Sequence, residues 1–255
     1  MADTDLKLVL DDGRRLTGKS LLWDKPGAVL EAFVSGIDKQ QVVYQWQKFA
    51  RQLLDALDWQ AESTCSRIFE DGISVAISAP MDALYTACDI NEAAWELTCA
   101  QITGSPPAES LAEALVRIKQ SLSEELNPEL LRLIEQAKQH QVPWLSDDDE
   151  FSLGYGASAQ VWPISALPDP DKLNWQQYRA IPLAMVTGTN GKSTSVRILS
   201  AMVQQTGQCC GVTSTDFIRV GDQIIDYGDY SGPGGARMLL RHADTQVAIL
   251  EVARG

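Results

Sequence analysis

Histidines and paired cysteines are scarce in this sequence, and long apolar runs are absent. The only histidines are His140 and His242, and the five cysteines form no C-x-x-C pair. This leaves little to bind a soft metal ion, so we expect reduced and mostly buried thiols. No apolar run approaches the ~20 residues that cross a bilayer, and the first residues lack the features of a secretory signal. These absences predict a cytoplasmic globular protein with no membrane partner.

Basic residues are also few. The chain has 21 Lys and Arg against 34 Asp and Glu, a formal net charge of −13. Residues 181–255 hold six of each kind, so the whole acidic excess lies in residues 1–180. Such a surface repels phosphate backbones, which argues against a nucleic-acid partner.

The first part of the chain has the pattern of an α+β domain. Apolar residues recur at three- and four-residue steps and predict a helix over residues 40–58. Two short apolar runs flank Asp71-Gly72 and predict a hairpin. Further helices are expected after Pro80, after the "SPPAES" entry and from Pro128. We therefore predict an amino-terminal α+β domain over residues 1–145.

The segment 146–180 is predicted to be an interdomain connection. It opens with the charge run "SDDDE", which is typical of a solvated turn. Three prolines in "PISALPDPDKL" then disfavour regular structure and suit an extended chain.

After that connection the sequence predicts a strand, a glycine-containing loop, a helix and a second strand. The strands are expected at residues 183–187 and 209–213, and the helix at 193–206. This β-loop-α-β order predicts a parallel sheet whose carboxyl edge carries the loop, where open α/β sheets bind ligands. We assign residues 181–255 to an α/β domain that binds its ligand at this edge.

The loop "GTNGKST" has the residue types of a phosphate site. Gly188 and Gly191 let successive amides face an anion at a helix start, whereas a glycine-rich turn can also arise by chance. Lys192 supplies a cation for the β- and γ-phosphates, Ser193 a hydroxyl for Mg²⁺ and Thr194 a contact to a phosphate oxygen. The predicted nucleotide-binding residues are Gly188, Thr189, Asn190, Gly191, Lys192, Ser193 and Thr194.

The spacing of this loop is shorter than that of the common P-loop, which would place a glycine where Val186 stands. "VTGTNGKST" resembles the loop of the Mur ligase family. The segments "GVTSTD", "GDYSGPGGARMLL" and "AILEVARG" are similar to the Mur-ligase-like half of cyanophycin synthetases. The resemblance implies ATP-dependent joining of a carboxylate to an amine through an acyl phosphate, with ATP and Mg²⁺ as cofactors and small-molecule or peptide substrates.

Glu251 ends the apolar strand "QVAIL", which should lie beside the loop strand and bring its carboxylate near Ser193. With the family segment "LE-x-ARG" this makes it the second predicted Mg²⁺ ligand, the alternative being a surface carboxylate at a strand end. The resemblance also implies that the hydroxyl groups of four residues contact the substrate: Thr213, Ser214, Thr215 and Ser231. Positions in an ordinary strand edge or turn would account for these residues almost as well.

The resemblance extends more weakly upstream, through "LTGKSLLW" and "LLRLIEQAKQHQVPWLSDDDEFSLGYGASAQ". In cyanophycin synthetases the second segment leads into an ATP-grasp domain, for which residues 161–187 leave no room. Family members also continue beyond "EVARG", so we expect an amino-terminal fragment of a larger ligase that would not complete the reaction alone. A nucleotide-binding or regulatory module without ligase activity is the alternative, and a P-loop kinase fits the loop spacing less well.

Overall fold

A computed structural model describes residues 6–253, so Arg254 and Gly255 of the "EVARG" segment lie outside the described residues. The chain forms two compact units that divide between Leu131 and Arg132. Among the described residues, every helix is too short or too polar to span a bilayer.

The first unit is a four-stranded antiparallel sheet with three helices. Its elements are β1 (Lys7–Leu16), β2 (Gly27–Ser35), α1 (Lys39–Ala56), β3 (Thr64–Ile68), β4 (Gly72–Ser78), α2 (Leu84–Thr103) and α3 (Leu111–Glu125). The strand order is β1-β2-β4-β3. The predicted hairpin is confirmed by the antiparallel pairing of β3 with β4, and the predicted helix over residues 40–58 agrees closely with α1.

The core of the first unit lies between this sheet and its helices. Alternate residues of β2 and β4 pack against α1 and α2, with Trp46 and Leu53 of α1 fully buried. Buried Asn91 of α2 accepts a hydrogen bond from Trp46 Nε1 at 3.0 Å and donates to the carbonyl of Val75 at 3.2 Å. The Asn91 side chain thus satisfies the indole nitrogen.

Helix α4 (Pro128–Gln139) crosses the division, and the second unit continues with two sheets and two helices. Its further elements are β5 (Trp144–Ser146), β6 (Glu150–Leu153), β7 (Gln160–Pro163), β8 (Leu183–Val186), α5 (Lys192–Gln204), β9 (Cys210–Thr213), β10 (Phe217–Val220), β11 (Gln223–Tyr227), α6 (Pro233–Arg241) and β12 (Val247–Glu251).

The larger sheet has the order β11-β10-β9-β12-β8 and is mixed. Strand β12 pairs in parallel with both β8 and β9, whereas β10 and β11 add antiparallel strands beyond β9. Helix α5 packs on one face and α6 on the other. Three strands of this sheet are therefore parallel, and the antiparallel hairpin of β10 and β11 extends it.

Strand β8 lies at one edge of this sheet. Its residues are all apolar, yet Leu183 is 41% and Met185 64% exposed. On the neighbouring helix α5, Ile198 and Met202 are also exposed.

The segment 146–180 differs from the extended connection that we predicted. Strands β5, β6 and β7 form an antiparallel sheet in which Phe151 and Leu153 are fully buried, and four 3₁₀ turns lie between residues 156 and 177. The prolines are compatible with this because Pro163 ends an edge strand and Pro170 opens a 3₁₀ turn. The domain boundaries at 145 and 180 stay predictions.

The charge run that we predicted to be a solvated turn binds the end of α6. Arg241, which is 11% exposed at its side chain, donates to Asp147 Oδ2 at 2.7 Å, to Glu150 Oε2 at 2.8 Å and to Ser152 Oγ at 3.1 Å. Burial raises the pKa of Asp147, but hydrogen bonds from the Glu150 amide and from Arg241 outweigh it and lower that pKa below its ordinary value. The guanidinium thus joins α6 to the turn between β5 and β6.

We expect Arg241→Ala to lower the free energy of unfolding by about 2 kcal/mol at pH 7, because it removes the hydrogen bonds of a largely buried guanidinium. Asp147 then retains the ion pair with Arg237 at 3.3 Å. A carboxyl with a lowered folded-state pKa stabilises the fold above its unfolded pKa, and this contribution disappears as pH falls through the folded pKa. The difference between wild type and variant in urea unfolding should therefore shrink from pH 7 toward pH 3. An equal difference at both pH values would contradict an ionic role for Asp147.

Candidate functional site

The carboxyl ends of three parallel strands bring the predicted site residues together. Strand β8 leads into the loop 187–191, β12 ends at Glu251, and β9 leads into residues 214–216. Because β12 pairs with β8 and β9 in parallel, all three segments leave the sheet at the same edge. The prediction that the strand of Glu251 lies beside the loop strand is confirmed.

Two glycines give the loop its backbone shape. Gly188 has a φ of +149° and Gly191 a φ of +79°, conformations that residues with a Cβ rarely adopt. Gly191 immediately precedes α5, and no side chain among the described residues caps the amides at that helix start. These amides are therefore available to an anion, with the partial positive charge of the helix end behind them.

Lys192 is the first residue of α5, and its side chain lies back along the loop. Its Nζ atom donates to the Gly188 carbonyl at 3.1 Å. The side chain is partly exposed, and Thr189, Asn190 and Thr194 are exposed. A cation in this position lies beside the loop amides, where a bound phosphate chain would carry its negative charge.

Ser193 and Glu251 form a direct contact between α5 and β12. Ser193 Oγ donates to Glu251 Oε1 at 3.1 Å, and the Thr215 amide donates to Glu251 Oε2 at 3.4 Å. Glu251 is only 2% exposed. A buried carboxylate needs such partners, and a hydroxyl beside a carboxylate offers two of the oxygen ligands that Mg²⁺ prefers.

The remaining predicted residues lie at the same edge but differ in their surroundings. Thr213 is buried, and its hydroxyl has no hydrogen-bond partner among residues 6–253. The Ser214 hydroxyl is bonded within its own turn, and Thr215 is exposed. Ser231 donates from its hydroxyl to Asp229 Oδ1 at 2.6 Å.

The loop between β11 and α6 is bonded across this edge through its backbone. The Tyr230 amide donates to the Ser214 carbonyl at 2.8 Å, and the Ala253 amide donates to the Ser231 carbonyl at 3.2 Å. These bonds bring Ser231 beside the segments that follow β9 and β12.

Asp229 is a residue of the site that our sequence reasoning missed. The Ser231 hydroxyl and amide both donate to its carboxylate, which lowers the pKa of Asp229. The "D-Y-S" spacing is a signal that was available, because Asp side chains often accept from the amide two residues further on.

Comparison with known proteins relates part of the chain to one kind of enzyme. The cyanophycin synthetase of Geminocystis herdmanii is 49% identical to it over 75 residues, 29% of this chain and 9% of that protein. This part of the chain is similar to part of cyanophycin synthetase. The cyanophycin synthetase of Synechocystis sp. is 47% identical over 75 residues, with the same coverage of both chains. No family model matches the chain.

A more distant likeness is to a Mur ligase. The UDP-N-acetylmuramoyl-L-alanyl-D-glutamate–2,6-diaminopimelate ligase of Leptospira borgpetersenii is 36% identical over 62 residues, 24% of this chain and 12% of that enzyme. The mixed α/β architecture of the second unit is compatible with a Mur-ligase-like domain. The matched part spans about a tenth of the length of either relative.

Proposed function

We propose that this protein is part of an ATP-dependent ligase that joins a carboxylate to an amine through an acyl phosphate. The observation that carries the proposal is the contact between Ser193 and the buried carboxylate of Glu251, beside a glycine loop and Lys192. The relation to cyanophycin synthetase and to a Mur ligase supports the ligase class.

The loop and the start of α5 are suited to a triphosphate. In the proposed complex the amides of residues 188–194 bind phosphate oxygens, and Lys192 exchanges its contact with the Gly188 carbonyl for the β- and γ-phosphates. Ser193 and Glu251 would hold Mg²⁺, which accepts few protein oxygens and keeps several waters. When bound, the ion neutralises charge on the phosphates.

The proposed reaction has two steps. A substrate carboxylate oxygen bonds to the γ-phosphorus as the bond to ADP breaks, giving an acyl phosphate. The nitrogen of the neutral amine then bonds to the acyl carbon as the bond from that carbon to the phosphate oxygen breaks. Inorganic phosphate leaves and takes the proton that the nitrogen gives up. Phosphoryl transfer depends mainly on alignment and charge neutralisation, which are the contributions of the loop amides and Lys192.

Three hydroxyls are proposed for the substrate side of the site. The hydroxyl of Thr213 is without a partner in the described chain, Thr215 is exposed and Ser231 lies at the same edge of the sheet. A buried hydroxyl without a partner is unfavourable, so a ligand atom that reached Thr213 would relieve that cost.

The test is phosphate release from ATP by the full-length protein, with a mixture of amino acids and short peptides as acids and amines. We expect release that requires both an acid and an amine, together with a new amide in the mass spectrum. Nucleotide binding with no amide under any mixture would support the regulatory module and contradict the ligase.

A further inference from the structure

The hydroxyl of Ser214 is used entirely within the turn that follows β9. Ser214 is fully buried. Its Oγ atom accepts from the amides of Asp216 at 3.1 Å and Phe217 at 3.2 Å, and it donates to the Phe217 carbonyl at 3.3 Å. A serine that bonds the amides two and three residues ahead stabilises a compact turn.

The backbone of Ser214 holds the same turn from both sides. Its amide donates to the Phe217 carbonyl at 2.9 Å, and its carbonyl accepts from the Tyr230 amide at 2.8 Å. The residue therefore has no free polar group with which to bind a substrate.

The next residue connects this turn to the candidate metal ligand. Thr215 lies in the chain between Ser214 and the amides of Asp216 and Phe217, which donate to the Ser214 hydroxyl. The Thr215 amide donates to Glu251 Oε2 at 3.4 Å. The other oxygen of Glu251 accepts from Ser193. The orientation of the carboxylate thus depends on a main-chain amide, and the orientation of that amide depends on the Ser214 hydroxyl.

We infer that Ser214 is a positioning residue for Mg²⁺ binding by Glu251 and not the substrate contact that the sequence predicted. The inference rests on the proposed function, since it assumes that Glu251 and Ser193 hold the ion. Removing a group that orients a metal ligand typically lowers metal affinity about 10- to 100-fold. Ser214 acts through one main-chain amide at a long distance, so we expect an effect near the lower end.

The experiment measures the affinity of the purified protein for ADP by calorimetry, without metal and over a series of Mg²⁺ concentrations. We expect Ser214→Ala to raise about 10-fold the Mg²⁺ concentration at which ADP affinity shows half of its Mg²⁺-dependent change. The affinity for ADP without metal should stay unchanged. Ser214→Thr keeps a hydroxyl at the same position and should restore most of the Mg²⁺ response.

Ser110→Ala serves as the matched control for lost stability. Ser110 caps α3 in the first unit by accepting from the Glu113 amide, so its loss weakens a helix start and should leave the Mg²⁺ response unchanged. If the wild type responds to Mg²⁺ and Ser214→Ala responds identically, the inference is wrong and the proposed function stands. If Ser214→Ala and Ser110→Ala shift the response equally, loss of stability is the cause and the inference is again wrong. A wild type that binds ADP with no Mg²⁺ response overturns both.

Discussion

Lys192→Ala is expected to weaken the binding of ATP with Mg²⁺ about 100-fold, close to 2.7 kcal/mol. The ammonium group lies beside the loop amides and its only hydrogen bond among the described residues is to the Gly188 carbonyl. It therefore contributes little to the folded state and much to a bound triphosphate, where charge-assisted hydrogen bonds are strong. The melting temperature of the free protein should remain near that of the wild type.

Calorimetric titration with ATP and Mg²⁺ measures this effect. Lys172→Ala is the matched control, because that lysine belongs to the same unit, is 83% exposed at its side chain and makes a surface ion pair with Asp169. Equal affinities in the wild type and both variants would rule out a phosphate-binding role for Lys192.

Glu251→Gln is expected to weaken the Mg²⁺ dependence of nucleotide binding strongly while leaving the fold intact. The amide has nearly the same volume as the carboxylate and can still accept from Ser193, but it lacks the charge that a Mg²⁺ ligand supplies. We expect the Mg²⁺ concentration at which nucleotide affinity shows half of its Mg²⁺-dependent change to rise at least about 100-fold. This corresponds to ~2.7 kcal/mol of binding free energy.

The same change should maintain or raise thermal stability, because Glu251 is a buried carboxylate with no cationic partner among the residues that the structure describes. Its opposite effects on binding and on stability distinguish a functional carboxylate from a structural one. Exposed Glu135 on α4 provides the control Glu135→Gln. A Mg²⁺ response in Glu251→Gln like that of the control would exclude the carboxylate as a ligand.

Local sequence patterns were sufficient to predict the core of the candidate site. The apolar run before Gly188, the Lys-Ser-Thr at the helix start and a second apolar run ending at Glu251 define two strands and a helix. Because strands that end in such a loop meet at one edge of a parallel sheet, the proximity of Ser193 and Glu251 follows from these patterns.

Contacts that rely on the main chain or on distant pairs could not be predicted in this way. The bond from the Thr215 amide to Glu251 does not require a particular side chain at position 215. Arg241 and Asp147 lie 94 residues apart, and nothing in the charge run indicates which cation it binds. The strands β6 and β7 have four residues each, and three prolines stand at the end of β7 and soon after it, so this segment had the composition of a connection.

The edge position of β8 has a consequence for every binding measurement on this protein. One side of the strand offers hydrogen-bonding groups that no other described strand occupies, and the side chains of Leu183 and Met185 are exposed. Strands of this kind recruit strands from other molecules as concentration rises. Since the same strand leads into the loop 187–191, which we propose binds phosphate, self-association would alter the flexibility of that loop. Nucleotide affinity should therefore vary with protein concentration, and dilution series are needed before affinities of variants are compared.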